Sequence, residues 1–146
     1  MKISITPEQL TSNGDAPHSI VDFPFRYASM PYSAEAGGYC VVSVPDGWDG
    51  KMKARVTFRT SGESVVSAAF ISLDFHPLGN TNNAAGYVTA DVSGSGNRLV
   101  QSNIVELDCS GCSGHSFTVK VGPELTYTEE DKNVDIALVE LFIGTY

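Results

Sequence analysis

The sequence has little charge, few cysteines and no long apolar run. Charged residues make up only 18% of its 146 positions, and Ser, Thr, Asn and Gly fill the deficit. With 42% hydrophobic residues this is the composition of a globular chain, the reverse of a disordered one. Basic residues are scarcest, 9 against 17 acidic, for a formal net charge of -8. A nucleic-acid partner needs a cationic footprint to displace counterions, so that class is excluded, and anionic membrane surfaces with it. No stretch approaches the roughly 18 apolar residues of a spanning helix, so no membrane insertion is expected. The opening residues Met1 to Glu8 hold no apolar run of secretory length, and no Asn-x-Ser/Thr acceptor occurs, so synthesis in a cytoplasm without an export signal is expected. Three cysteines are an odd number and no disulfide framework. There is no Gly-x-Ser-x-Gly elbow and no glycine-rich phosphate loop opening a helix, so neither a triad hydrolase nor a nucleotide site is indicated, and no cofactor is expected.

What is present is alternation. A chain of this length can bury roughly 70% of its unfolded surface and needs no metal or disulfide to hold a core. Met52, Ala54, Val56 and Phe58 alternate with Lys51, Lys53, Arg55 and Arg59, the pattern of a half-buried strand. Further strands are expected over 20–27, where Pro24 implies an edge or a bulge, then over 39–44, 65–73, 86–92, 99–107, 117–121 and 135–143. The last, the most apolar, is expected to be central. The stretch from Asp74 to Ala85 reads as a long polar loop. About eight strands separated by turns predict an all-β fold, a single antiparallel β-sandwich of jelly-roll type over residues 18–146. Residues 1–17 read as a short N-terminal arm. Ile3 and Ile5 alternate with polar neighbours, and Thr6-Pro7-Glu8-Gln9 carries the cap, Pro and capping-box positions of a helical turn. Ile3, Ile5 and Pro7 are therefore candidates for docking on the domain or on a neighbouring chain.

Several residue groups could carry chemistry. Cys109 and Cys112 have the spacing of two zinc thiolates, and His115 adds a third ligand through its ring nitrogen. The same residues read equally as a tight Gly-Ser turn over small buried thiols, or as a local disulfide. The carboxylates Glu106 with Asp108, and Glu129, Glu130 and Asp131, could be nominated as an acid/base pair, but a glycosidase pair is defined by separation across a cleft. Glu140 interrupts an apolar strand, which predicts an outward face or a basic partner. Trp48, the single tryptophan, lies in the turn cluster 45–50 and reads either as an exposed stacking platform or as a ring folded over the sandwich end. Lys51, Lys53 and Arg55 form a basic strip on an acidic protein and are a second candidate interface.

The run from Tyr39 through Val44, Pro45-Asp46-Gly47-Trp48-Asp49-Gly50 and on to Val56 resembles a strand–turn–strand segment of small jelly-roll structural proteins of tailed bacteriophages. The strand 117–121 before an acidic loop, and the closing strand ending in Tyr146, are similar to the same group. That resemblance implies a non-enzymatic virion component, a head decoration, head fibre or tail-associated piece. It implies a homotrimer, a capsid or tail protein as partner, and a location in the virion, with a host surface glycan as a further ligand. Beside it stands a carbohydrate-binding jelly-roll module using Trp48, Tyr32, Tyr87 or Tyr127 as sugar platforms. A cupin or hydrolase is the third reading, and a cupin would need several inward histidines.

Overall fold

The alternating segment folds as read. Strand β6 (Lys51–Thr60) buries Met52, Ala54, Val56 and Phe58 and turns its charged residues outward. The computed structural model describes residues 1–13, 17–22, 24–30, 37–45, 47–60, 68–78, 84–91, 98–109, 116–123 and 133–144. Among them run β1 (Lys2–Ile5), a 3-10 turn (Pro7–Gln9), β2 (Thr11–Asn13), β3 (His18–Asp22), β4 (Phe25–Met30) and β5 (Gly37–Val42). After β6 come β7 (Ala68–Pro77), β8 (Ala84–Asp91), β9 (Val100–Gln101), β10 (Val105–Asp108), β11 (Phe117–Pro123) and β12 (Val134–Ile143). They make two antiparallel sheets packed as a jelly-roll sandwich. The seven-stranded sheet runs β10-β6-β12-β4-β3, with β1 also on β12 and β9 also on β6; the five-stranded sheet runs β2-β5-β11-β7-β8.

The core lies between the sheets. Phe58, Met52, Leu141 and Ile136 from one sheet meet Phe75, Phe117, Leu73 and Ile71 from the other, all almost fully buried. Phe75 and Phe117 pack edge to face with centroids 5.5 Å apart. β12 is central, as its apolarity predicted, flanked by β6 on one side and by β4 and β1 on the other. Its register against β6 slips by one residue between Ile136 and Leu138. That bulge reverses the phase of alternation, so Val134 and Ile136 face the core before it and Val139, Leu141 and Ile143 after it.

Several expectations are corrected. The N-terminal segment, expected to dock on the domain or on a neighbouring chain, lies on the domain at its described residues: β1 pairs with β12 and β2 with β5. Ile5 is 1% exposed and Ile3 packs against the core. Pro7 begins the 3-10 turn, and Gln9 Oε1 accepts the Thr6 N–H at 2.9 Å, as the capping residues foretold. Pro24 lies in the turn between two strands, β3 and β4, rather than inside one. The polar segment from Asp74 to Ala85 is sheet at both ends, in β7 to Pro77 and in β8 from Ala84, because Phe75 and Pro77 alternate inward with outward Asp74 and His76; residues 79–83 lie outside the described residues. The stretch 99–107 is two short strands rather than one, β9 and β10 both lying on β6.

Candidate functional site

The two outer faces of the sandwich differ in chemistry. On the seven-stranded face the charges are spent on one another. Arg59 lies over the Tyr27 ring, 4.0 Å from its centroid, and donates to Asp135 at 2.9 Å and to Asp22 at 2.8 Å. Burial works against the charge of Arg59, but these hydrogen bonds outweigh it and hold the guanidinium pKa above its ordinary value. Arg55 donates to Glu140 through Nε at 3.0 Å and Nη2 at 2.9 Å, and Lys2 reaches the other oxygen at 3.5 Å. Glu140 is thus an outward residue with basic partners, as its place in the strand implied. Lys53 and Lys51 stand directly across from Glu106 and Asp108 of β10. The basic strip Lys51, Lys53, Arg55 is therefore interleaved with acids, and Arg55 is committed to Glu140. Glu106 and Asp108 sit on an open sheet face, and Glu129, Glu130 and Asp131 lie outside the described residues.

Trp48 takes the second of its two readings. It is 5% exposed, its Nε1 donates to the Lys51 carbonyl at 3.0 Å, and its ring leans on Phe117 with centroids 5.6 Å apart. It borders a cleft of about 450 Å³ near Met1 and Ile143 but presents no ring face for stacking. Cys109 is fully buried, and its N–H bonds the Gly50 carbonyl at 2.9 Å. Cys112 and His115, with Tyr32 and Tyr127, lie outside the described residues. Among the described residues no group of three or more His, Cys, Asp or Glu is placed to hold a metal ion. His18 and His76 are both exposed, so neither is the inward ligand that a cupin would need.

The five-stranded face is the candidate site. Strand alternation turns Tyr39 and Val41 of β5 outward, opposite to Val42 in the core. The register places Tyr39 in one row with Lys120 of β11, Asp74 of β7 and Ala85 of β8. Tyr87 of β8 stands in the next outward row, with Ser72 and Gly122. Tyr39 is 38% and Tyr87 48% exposed. Three strand spacings of ~4.8 Å and a two-residue offset of ~3.4 Å each put their backbone positions about 16 Å apart. Between them lies a polar floor of Lys120, Asp74 and Ser72, continued by Thr118 and His76. The Lys120 stem runs along Gly37, where a Cβ would come within 2.6 Å of its Cε. Space above that glycine lets the lysine lie along the sheet, away from the Asp74 beside it. Tyr87 was among the sequence candidates; Tyr39 was not. It begins the apolar run 39–44, whose two faces only the pairing with β11 distinguishes.

No protein-family model and no curated protein matches the chain. Solved structures do. The CBM36-1 domain of a multidomain xylanase from the hindgut metagenome of Trinervitermes trinervoides superposes with a TM-score of 0.70 at 10% identity, over 100% of both chains. A carbohydrate-binding module CBM36 in complex with calcium and xylotriose superposes with 0.67 at 11% identity, over 96% of this chain and 99% of that one. The CBM22-1 xylan-binding domain from Paenibacillus barcinonensis gives 0.59 at 10% identity, over 97% and 92%. Likeness at this identity carries the fold alone, a β-sandwich that these carbohydrate-binding modules share. The expectation of a virion structural protein is overturned by that finding, and the homotrimer and the capsid or tail partner expected with it lose their support.

Proposed function

We propose that this chain is a non-catalytic carbohydrate-binding domain whose site is the outer face of the five-stranded sheet. A linear polysaccharide crosses β5, β11, β7 and β8 obliquely, with Tyr39 and Tyr87 as apolar platforms at the two ends of the path. Lys120, Asp74, Ser72 and His76 supply donors and acceptors for sugar hydroxyls between them. The observation that carries the reading is the pairing of two part-exposed tyrosines with a polar floor that forms no ion pairs among the described residues, in contrast to the opposite face. The xylan and xylotriose bound by the structural neighbours support it and make xylan-type chains the first ligands to try.

The magnitude follows from exposure. A tyrosine offers ~150–250 Å² in all, so the exposed 38–48% is on the order of 60–120 Å². At ~25 cal/mol per Å² full coverage contributes at most about 2–3 kcal/mol per ring. Calorimetric titration with xylo-oligosaccharides and other linear β-glycans tests this. Tyr39→Ala and Tyr87→Ala should each weaken binding by about fivefold or more, within the ceiling of roughly a hundredfold that this area allows. A double variant that binds as the parent does would sink the site, and a chain that retains no polysaccharide of any class would sink the function.

A further inference from the structure

Among the described residues the sheet edges are β8, β2, the β9/β10 side, β1 and β3, and several of them are blunted. The β8 edge is closed by Asn103, whose side chain accepts the Thr89 N–H at 3.0 Å while its own N–H bonds the Thr89 carbonyl at 2.9 Å. The β2 edge is three residues long. The edge of the larger sheet beyond β6 is broken into β9 and β10 and carries Glu106 and Asp108. The β3 edge is unbroken and, at five residues, longer than β1 or β2, with Asp22 its one acidic residue. All five of its residues, His18 to Asp22, are exposed, and among the described residues no strand covers its outer side. It shows an apolar side chain on each face, Ile20 at 36% and Val21 at 66% exposure, with Phe25 beside them at 47%. An open strand of this kind is a template for another strand, and monomeric proteins guard against it with charge, proline or a bulge.

We infer that the occupant is a second copy of the chain, joined through β3 about a twofold axis at Ile20. The pair Asp22↔Phe25 is closed by two residues, so it exchanges its backbone bonds within the hairpin. Alternation then turns the N–H and C=O groups of Ser19 and Val21 to the open side. Centring the axis on Ile20 sets Ser19 opposite Val21 of the partner subunit, where both can exchange bonds. It sets Ile20 against Ile20 of the partner subunit on the outward face. It also sets His18 opposite Asp22 of the partner subunit, whose Oδ2 is held by its own Arg59 at 2.8 Å, so that Oδ1 is the oxygen left to accept from the imidazole, twice by symmetry. No other centre on this five-residue strand matches all of these at once. Such an interface is self-complementary, as a twofold contact must be.

The axis stands perpendicular to the joined sheet, so both five-stranded faces point to the same side. This consequence rests on the proposed carbohydrate reading: two coplanar sites would engage one polysaccharide surface together and gain by effective concentration. Sedimentation equilibrium tests the dimer without any glycan. The parent should approach twice the 15.6 kDa of one chain as its concentration rises. Ile20→Lys, which sets two cations face to face on the axis, and Ser19→Pro, which deletes an edge N–H, should both return the mass to one chain with unchanged circular dichroism. A parent of single-chain mass throughout, or an oligomer that both variants leave intact, overturns the interface. In a folded Ile20→Lys monomer, affinity for short oligosaccharides should be unchanged while retention on insoluble polysaccharide falls about tenfold or more. A monomer that still binds short oligosaccharides but is retained like the parent overturns the bivalent arrangement alone; loss of binding by both proteins indicts the carbohydrate reading instead.

Discussion

Replacing Arg59 with alanine tests whether the seven-stranded face is structural. Its side chain is 11% exposed and that of Asp135 only 6%, so this pair is largely withdrawn from water. Asp135 Oδ2 accepts from Arg59 at 2.9 Å, while its Oδ1 is buried with no hydrogen-bond partner among the described residues. Without the guanidinium the carboxylate would keep its burial and lose its counter-charge, and Tyr27 would lose its cover. Breaking a buried pair from one side costs about 3–5 kcal/mol. With ~2.1 cal/mol/K of unfolding entropy per residue, a domain of this size loses roughly 3 °C of Tm per kcal/mol. Arg59→Ala should therefore melt about 10–16 °C below the parent. Asp22 shares the same guanidinium, but its side chain is 62% exposed, so Asp22→Ala should cost no more than ~1 kcal/mol. Calorimetry of the two variants beside Asp135→Ala and the Arg59/Asp135 double separates the terms. The double should be less destabilised than the sum of its singles, because neither charge is then left alone. An Arg59→Ala variant that melts within the Asp22→Ala range would refute the claim that burial, and not contact number, sets the cost.

Two further perturbations probe the sandwich interior. Gly86→Ala drives a Cβ into Leu107 Cδ2, which the glycine admits between the β8 and β10 edges, and should cost about 1–3 kcal/mol by chemical denaturation; an unchanged midpoint would show that Leu107 moves aside freely. Cys40 faces inward, and burial raises its thiol pKa above the ordinary 9.0. A raised acid pKa gives stability that is complete below the unfolded value and lost as pH rises through the folded one. The parent should thus lose more stability than Cys40→Ala between pH 9 and higher values, and equal slopes in pH-dependent denaturation would contradict that assignment.

The fold was legible where one face of a strand is apolar and the other charged. Lys51 to Arg59 satisfies that condition, and its inward set is the one the structure buries. It was illegible where both faces are apolar or both are short of apolar residues. Tyr39 and Val41 look like core because their neighbours Cys40 and Val42 are apolar too, and only the register with β11 puts them outside. Asp74 to Pro77 looks like a loop because His and Pro interrupt it, although Phe75 and Pro77 hold the inward positions of a strand. Trp48 was ambiguous because a turn position says nothing of which way the ring folds; the Lys51 carbonyl and Phe117 decide it. The tyrosine face could not be found in sequence at all, since its two aromatics are 48 residues apart and meet only through three strand pairings.

The apolar run of β12 hides a further regularity with a direct test. It reads as unbroken hydrophobicity because two alternations of opposite phase are joined at the bulge, Val134 and Ile136 before Ala137, then Val139, Leu141 and Ile143. The extra residue keeps both Asp135 and Glu140 on the outward face, where Arg59 and Arg55 wait on β6. Deleting Ala137 would remove the bulge and leave Leu138 opposite Thr57, Val139 opposite Val56 and every later pair unchanged. That deletion should cost no more than an ordinary substitution, up to ~3 kcal/mol. Deleting Glu140 instead reverses the phase of all that follows. Leu141 and Ile143, at 0% and 1% exposure, would turn to water and Phe142 would turn inward. Losing two such side chains costs ~1.5–3 kcal/mol each, and Arg55 loses its partner besides, which together rivals the ~5–15 kcal/mol that holds a domain folded. Thermal melts should show a cooperative transition for the Ala137 deletion and a far lower or absent one for the Glu140 deletion. Equal losses in the two would mean that the phase reversal at Ala137 is not what positions the paired carboxylates.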